Sequence, residues 1–392
     1  MTWAIVMMSG APRIILIQRG GMMTVQDEVM ALGIRSDAAY AGRFMHDLTH
    51  SRAAEHSNIL AFCMAPYLSL FVHESYRKRK IIDPKLPQLL STDVEAIVAR
   101  SRNSLKLFED NQRGVEGQLT FFRDKISSVH ADMFLGNTWL RIARFLEVDL
   151  GLYSYEERII STTHAAVFHL GFDPLVMPAE VRRLKLQAIY EEYGRYFRGL
   201  GAGTDSGAQT FMSNLDPKRF DRYPNDVRSA KYYSQVFNGR GTPDINRLLM
   251  VFRGLMNFID SVVGLGTDAN KVEYTVFKIR FLTLYQVLGS LQLLQDELPG
   301  DLTARSTRLI KKITDTSSAS LIMDRSAKPF RNTLMHYNLD SRVDLARVDV
   351  TQPLFGLVPI FFPSHDAESF IEAVDSCIEE TTSVMEEWAA LP

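Results

Sequence analysis

Apolar residues recur every three to four positions along most of this chain, the spacing that buries one face of an α-helix. Residues of about 36–76 carry the pattern as one long helix or two, with Pro66 as the expected kink. The pattern then predicts further helices in the first half of the chain, over about 92–110, 114–133, 137–147, 155–170 and 178–198.

The second half of the chain shows the same periodicity. Its predicted helices lie near 227–237, 243–263, 268–298, 300–315, 318–338 and 366–390. Between the last two, Leu354 to Phe362 is flanked and interrupted by prolines and predicts a short strand or extended segment. Because no heptad register, Walker loop, Rossmann fingerprint or long strand alternation occurs, we expect an all-α fold built of two helical bundles.

One stretch separates the two bundles. Residues 199–226 are rich in Gly, Pro and polar residues and have little periodicity, which predicts a linker between domains at 24–198 and 227–392. Residues 1–23 form a lead-in that fits a short strand or a disordered segment equally well. Met22 and Met23 stand just before the helical pattern, which leaves room for a misassigned start codon.

Composition excludes several classes of protein. With 46% apolar and 23% charged residues, and a formal net charge of −2, the chain reads as globular rather than uniformly basic. Two cysteines far apart provide no disulfide framework or Cys-rich zinc site, which fits a reducing compartment. No apolar run reaches the roughly 18 residues of a membrane span, and the N-terminus makes a poor signal peptide. We therefore expect a cytoplasmic protein with no membrane association.

Two short stretches of the sequence nearly repeat each other. The first runs Phe-Arg-Asp over 122–124 and Val-His-Ala-Asp over 129–132. The second runs Phe-Arg-Asn over 330–332 and Met-His-Tyr-Asn over 335–338. Spacing alone is weak evidence, since four Arg–His pairs of similar spacing occur, at Arg43/His50, Arg123/His130, Arg158/His164 and Arg331/His336. Only the two repeated copies share the flanking residues.

An Arg held near a His suits phosphodiester chemistry without a metal. Imidazole moves a proton near neutral pH, and guanidinium binds phosphate oxygens in bidentate fashion. The 31 Arg against 13 Lys favour a phosphate-bearing partner weakly, and a biased genome composition explains the excess about as well. The repeated pairs therefore identify candidate catalytic residues, namely Arg123, His130, Arg331 and His336.

This arrangement resembles the HEPN superfamily of helical-bundle proteins, whose hallmark is an Arg, a polar residue, and a His four to six positions after the Arg. Many members are metal-independent endoribonucleases of toxin–antitoxin, phage-defence or CRISPR systems, with active sites where two HEPN domains face each other. The resemblance implies that the four candidate residues form the catalytic set. It assigns orienting or assisting roles to the polar neighbours Asp124 and Asn332 and to Asp132 and Asn338, each two positions after the His.

Ideal helix geometry favours the first copy of the motif. Arg123 and His130 are seven positions apart and lie only about 20° from eclipsed on a regular helix, so both should face one side. Arg331 and His336 are five positions apart and about 140° from eclipsed. We expect the second pair to converge only if the helix begins or distorts near Pro329.

Structural interpretations compete with each of these sites. Buried Arg–Asp or His–Asp pairs can tie helices together, and His336 fits a core histidine. His46 and His50 have a spacing that can bind a metal, but no carboxylate completes a site, so no metal site is predicted. The basic run Arg77, Lys78, Arg79 and Lys80 fits a solvated helix end or, together with Lys125, contacts to RNA phosphates.

The first hypothesis is an endoribonuclease with RNA as substrate. One His would take the proton of the ribose 2′-hydroxyl, the other would support the leaving 5′-oxygen, and both arginines would neutralise the phosphorane. Products would carry 2′,3′-cyclic phosphates, with no metal or cofactor needed, and substituting either His would lower cleavage on the order of 10²-fold.

The rival hypothesis is a non-catalytic HEPN-like scaffold that binds RNA, a nucleotide, or a partner protein such as an antitoxin or defence component. A third interpretation is an unrelated helical protein whose motifs are coincidental, in which the two Arg–His pairs lie apart. The residues are compatible with pairing of the motifs within one chain or across a homodimer.

Overall fold

The computed structural model describes residues 4–6, 15–17, 24–82, 90–110, 113–139, 146–172, 177–201, 208–221, 225–265 and 273–390. Helices dominate these ranges, and a small three-stranded sheet joins them. The predicted predominantly all-α fold is therefore confirmed. No helix within the described ranges is long and apolar enough to cross a membrane.

The described residues form fifteen α-helices, numbered in chain order. Those that begin before residue 200 are α1 (Val25–His50), α2 (Ser57–Ile82), α3 (Thr92–Asn103), α4 (Gly114–Phe122), α5 (Ser128–Phe134), α6 (Thr163–Leu170) and α7 (Ala179–Gly199). The others are α8 (Ser229–Tyr233), α9 (Pro243–Phe258), α10 (Tyr274–Glu297), α11 (Ala304–Thr314), α12 (Ser317–Ile322), α13 (Ala327–His336), α14 (Val358–Phe361) and α15 (Ala367–Ala389).

The first two helices meet at a different point from the one expected. Helix α1 begins at a capping box in which Thr24 and Asp27 bond each other's backbone N–H groups. It ends at Ser51, whose extended backbone leads through a 3₁₀ turn into α2. Pro66 lies inside α2 rather than at the break. Helix α2 therefore runs on to carry the basic run 77–80 at its C-terminal end.

The sheet replaces the first part of a predicted helix. Strands β3 (Leu150–Tyr155) and β4 (Arg158–Thr162) form an antiparallel hairpin, and β5 (Asn225–Val227) pairs with the other edge of β3. The turn at Glu156 and Glu157 has positive φ at both residues, which matches the twist of a two-residue hairpin. The expected helix over 155–170 is therefore wrong in its first half and begins only at Thr163.

Two other expectations concern strands. Residues 354–362 are not extended, because a 3₁₀ turn at Pro353–Gly356 leads into α14. Leu354 and Phe355 in that turn adopt left-handed backbone conformations, with φ of 51° and 62°. In the lead-in, β1 (Ala4–Val6) pairs antiparallel with β2 (Ile15–Ile17), as the strand alternative anticipated. The predicted helix over 137–147 lies mostly outside the described residues.

Both predicted domains contribute to one hydrophobic core. A single cluster of buried residues runs from Val29 in α1 to Ala389 in α15. The stretch expected to be a linker takes part in it, since the ring of Phe211 packs against Phe44 and Phe258. Of the stretch predicted as a linker, the described residues around Phe211 therefore pack into this core.

Candidate functional site

The second motif lies on α13, against the C-terminal part of α2. Pro329 falls in the first turn of α13, where a proline is tolerated because that turn's N–H groups have no partner within the helix. The helix is otherwise regular, so Arg331 and His336 leave it in different directions. Their side chains do not converge, and each has its own set of partners.

His336 is held by a buried carboxylate of the neighbouring helix. Its Nδ1 lies 2.8 Å from Oε2 of Glu74, and the side chain is 33% exposed. The other carboxylate oxygen, Oε1, lies 2.6 Å from Nη2 of Arg102. Burial raises the pKa of Glu74, but the hydrogen bond with His336 and the charge of Arg102 outweigh it and lower that pKa to about 2. Glu74 is therefore an anion at neutral pH and orients the imidazole.

The imidazole opens onto a cleft of about 430 Å³ between α2 and the end of α13. Basic, amide and carboxylate side chains make up most of its wall. The lining residues are Glu74, Arg77, Lys78, Pro329, Asn332, His336, Asn338, Leu339 and Asp340. Its volume lies within the range typical of small-molecule sites in proteins.

The structure separates the basic run of α2 into two pairs. Arg77 and Lys78 line the cleft, and the Lys78 ammonium donates a hydrogen bond to Asn338. Burial lowers the pKa of Lys78. In contrast, Arg79 reaches the carbonyl of Gly199, and Lys80 lies 3.5 Å from Glu95, both away from the cleft. Two of the five residues predicted to contact RNA, Arg77 and Lys78, therefore line this cleft.

Arg331 is bound beside the cleft rather than inside it. Its Nη2 lies 2.8 Å from Oε2 of Glu109, and its guanidinium stacks 4.9 Å from the ring centroid of Tyr285. Its Nη1 donates to Oδ1 of Asn332, which lines the cleft. At 14% exposure, Arg331 supports Asn332 from behind and is not among the residues that line the cleft.

The first motif does not keep both of its residues on one side of a helix. A π-helical turn, Arg123–Ser127, separates α4 from α5, and its ends are joined by the Ser128 N–H bonding the Arg123 carbonyl. This i to i+5 bond adds one residue to the helical turn. The angle between Arg123 and His130 around the helix axis therefore differs from that in a regular α-helix. Arg123 is 46% exposed and pairs with Asp124 and Asp244, whereas His130 is 3% exposed.

His130 lies in a buried histidine pair. Its ring contacts that of His164 edge-on at 4.5 Å between centroids, and the ring of Phe134 lies at 5.8 Å. Nδ1 of His164 lies 3.0 Å from the hydroxyl of Tyr233. Burial lowers the pKa of His164 well below its usual value, so that ring is neutral at physiological pH. These contacts are those of a packed core histidine.

The two carboxylates of the first motif, Asp124 and Asp132, face solvent, whereas Phe122 is buried. Asp132 and Lys125 are exposed, and His130 borders a different cleft, of about 350 Å³ and mostly apolar. That cleft shares no lining residue with the one at His336. Within the described residues the two motifs therefore belong to separate sites, and the pairing considered within one chain has no shared cleft to act in.

The other candidate histidines have structural partners. His46 and His50 stack on each other at 4.1 Å between ring centroids, and Nδ1 of His50 lies 2.9 Å from the carbonyl oxygen of His46. Across the described ranges, no group of three or more His, Cys, Asp or Glu side chains is arranged to hold a metal ion.

Glu74 and Arg102 are the site residues that sequence reasoning missed. Glu74 stands three and four positions before Arg77 and Lys78, so all three share one face of α2. That spacing was a usable signal, because an acidic residue on the same face as a basic pair suggests a polar site. Nothing in the sequence around Arg102 indicates its contact with Glu74.

Comparison of the chain with models of protein families, with curated proteins and with solved structures found no match.

Proposed function

We propose that this protein is a metal-independent endoribonuclease of HEPN type that cleaves RNA in the cleft beside His336. The observation that carries the proposal is the 2.8 Å contact between Glu74 and His336 Nδ1, in a cleft that also holds Arg77 and Lys78. A carboxylate-oriented imidazole and two phosphate-binding cations are the groups that such a reaction needs.

In this proposal Glu74 sets the tautomer of His336. Nδ1–H donates to the carboxylate, so Nε2 is the ring nitrogen that can accept the proton of a ribose 2′-hydroxyl. The deprotonated oxygen attacks the adjacent phosphorus and forms the 2′,3′-cyclic phosphate. Arg77 and Lys78 stabilise the added negative charge of the phosphorane, and the leaving 5′-oxygen takes a proton from water in the open cleft.

The biological setting is part of the proposal. A HEPN nuclease that acts as a toxin or antiviral defence effector needs a partner protein that restrains it or a signal that activates it. An antitoxin or another defence component is therefore the expected protein partner. A homodimer would bring a second copy of the His336 cleft to the substrate. Among the described lining residues of the cleft, His336 is the one histidine.

A second candidate function is binding of RNA, a nucleotide or a partner protein without catalysis. The position of Arg331 favours it, because Glu109 and Tyr285 hold the motif arginine outside the cleft. The cleft would then recognise phosphate through Arg77 and Lys78 while His336 contributes a hydrogen bond.

The deciding experiment incubates the purified protein with labelled RNA in the presence of EDTA and identifies the product ends. Cleavage to 2′,3′-cyclic phosphate and 5′-hydroxyl ends is the expected result. Loss of cleavage on chelation would overturn the mechanism. Salt-sensitive RNA binding with no cleavage at any pH between about 4.5 and 8.5, two units on either side of the ordinary imidazole pKa, would favour the second candidate.

A further inference from the structure

A buried ion pair is connected to the cleft through Tyr337. Nζ of Lys278 on α10 is 2.6 Å from Oδ2 of Asp37 on α1, and both side chains are essentially inaccessible to solvent. Asp37 also accepts hydrogen bonds from the hydroxyls of Thr275, at 2.9 Å, and Tyr337, at 2.5 Å. A buried carboxylate with three donors holds each of them in a narrow range of positions.

Tyr337 needs such restraint because its backbone is unusual. It caps the C-terminus of α13 with φ of 54° and ψ of 31°, a left-handed conformation that side chains other than Gly and Asn rarely adopt. Its ring covers the Lys278 ammonium at 4.1 Å from the centroid. Gly33 of α1 makes room for the ring, since a Cβ there would lie 3.0 Å from Cδ1 of Tyr337.

The residues on both sides of Tyr337 belong to the cleft. His336 precedes it and Asn338 follows it, and both line the cleft while the tyrosine points inward. Gln26 of α1 fixes the same backbone, with its Nε2 donating to the Tyr337 carbonyl at 3.4 Å and its Oε1 accepting from the Leu339 N–H at 3.0 Å. The direction of His336 therefore depends on where the inward tyrosine is anchored.

We propose that Tyr337 is a positioning residue, anchored by Asp37 and Lys278, that directs the His336 imidazole toward Glu74 and the cleft. The buried ion pair serves this purpose by specifying one conformation of the segment 336–338. The catalytic consequence rests on the proposed function, whereas the effect on the imidazole itself does not.

The test compares two substitutions that each remove one hydrogen bond to Asp37. Tyr337→Phe removes the bond made by the anchor, and Thr275→Val removes an equivalent bond from a residue of α10 that lies outside the cleft. The readouts are the ¹⁵N chemical shift of the His336 ring, which reports the Nδ1 bond to Glu74, and the kinetics of RNA cleavage.

Tyr337→Phe is expected to shift the His336 ring signal and to lower kcat on the order of tenfold with little change in KM, because misplacement of an acid–base group is costly. Thr275→Val is expected to leave the ring signal and kcat unchanged. Equal effects of the two variants on the His336 signal, or none in either, would overturn the positioning role.

A second variant, and the ring signals of the unsubstituted protein, cover the cases in which Tyr337→Phe does not fold or no RNA is cleaved. If Tyr337→Phe does not fold, Gly33→Ala places a Cβ against the rings of both Tyr337 and Tyr274 while leaving the Tyr337 hydroxyl intact. It should shift the same His336 signal, and an unchanged signal would count against the proposal. If the unsubstituted protein cleaves no RNA, the proposed function fails, and the ring signals alone still decide whether Tyr337 positions His336.

Discussion

In the first motif the arginine lies at the surface and the histidine is buried. In the second motif the histidine lines a cleft and the arginine is largely buried beside that cleft. Arg123 pairs with two carboxylates in solvent, and His130 packs against His164. Arg331 binds Glu109, and His336 binds Glu74 beside two cations. Similar sequences thus form a packing contact in the first motif and a candidate functional site in the second.

Backbone geometry and the facing helix cause this difference. The π-helical turn at Arg123–Ser127 changes the rotation between the two residues of the first motif, so one faces outward and the other inward. The second motif lies on a regular helix beside α2, which supplies Glu74, Arg77 and Lys78. A motif becomes a site only where a neighbouring element completes it, and α2 completes only the second.

The largest expected effect separates the two histidines. His336→Ala should lower RNA cleavage on the order of 10²-fold or more, the usual contribution of an acid–base group, with little loss of stability at a one-third exposed position. His130→Ala should leave the cleavage rate of folded protein nearly unchanged and lower the free energy of unfolding by about 2 kcal/mol, because it truncates a buried ring. Single-turnover cleavage and urea unfolding measure the two effects.

Arg123→Ala is the matched control for the first motif, because it removes an exposed ion pair of little energetic value. It should change neither cleavage nor unfolding. If both Arg123→Ala and His130→Ala abolished cleavage in folded protein, the first motif would have to act in catalysis, most directly across a homodimer.

The second prediction concerns the carboxylate that distinguishes the two sites. The pKa of Glu74 falls from 4.5 to about 2 on folding, so its ionised form stabilises the protein above pH 4.5, and this stabilisation is lost as pH falls through 2. Glu74→Gln should therefore lower the free energy of unfolding by roughly 3 kcal/mol at pH 7 and by less than half of that near pH 3. Urea unfolding at the two pH values measures the difference.

Glu95→Gln provides the comparison for Glu74→Gln, because Glu95 makes an exposed ion pair with Lys80. It should change stability by less than about 1 kcal/mol at either pH. A Glu74→Gln variant that loses no more stability than Glu95→Gln would mean that the buried bonds to His336 and Arg102 contribute nothing net.

Sequence periodicity predicted the helical class and most of α2 and α10, whereas the single helix predicted over 318–338 is divided into α12 and α13. Apolar residues lie around most of the circumference of α2 and α10 because both helices are largely buried in the core. The periodicity failed at the β3–β4 hairpin, because strands of six and five residues are too short for their apolar positions to separate a strand period from a helix period. Composition also could not show that the described residue Phe211, within the predicted linker, packs in the core, because buried turns and exposed ones use the same residues.

Part of the candidate site could be predicted from the sequence, but not the contact between its parts. His336 and the basic residues of α2 stand 256 or more positions apart, and only the tertiary fold brings them together. The preference for the first motif on helical geometry did not anticipate a π-helical turn, which has no sequence signal strong enough to read in a single chain. Glu74 was recognisable as a charge on the right face of α2, but not as the partner of His336.

The smallest expected effect distinguishes the two halves of the basic run. Lys78→Ala should weaken RNA binding several-fold and reduce the slope of log affinity against log salt by about 1, because it removes one phosphate-facing cation from the cleft. Lys80→Ala removes the same charge two positions away, from a side chain paired with Glu95 outside the cleft, and should leave the slope unchanged. Titrations of labelled RNA between about 50 and 200 mM salt measure both slopes. Equal slopes for the two variants would show that RNA responds to the overall charge at the end of α2. The cleft beside His336 would then not be distinguished from the rest of that surface as the RNA-binding site.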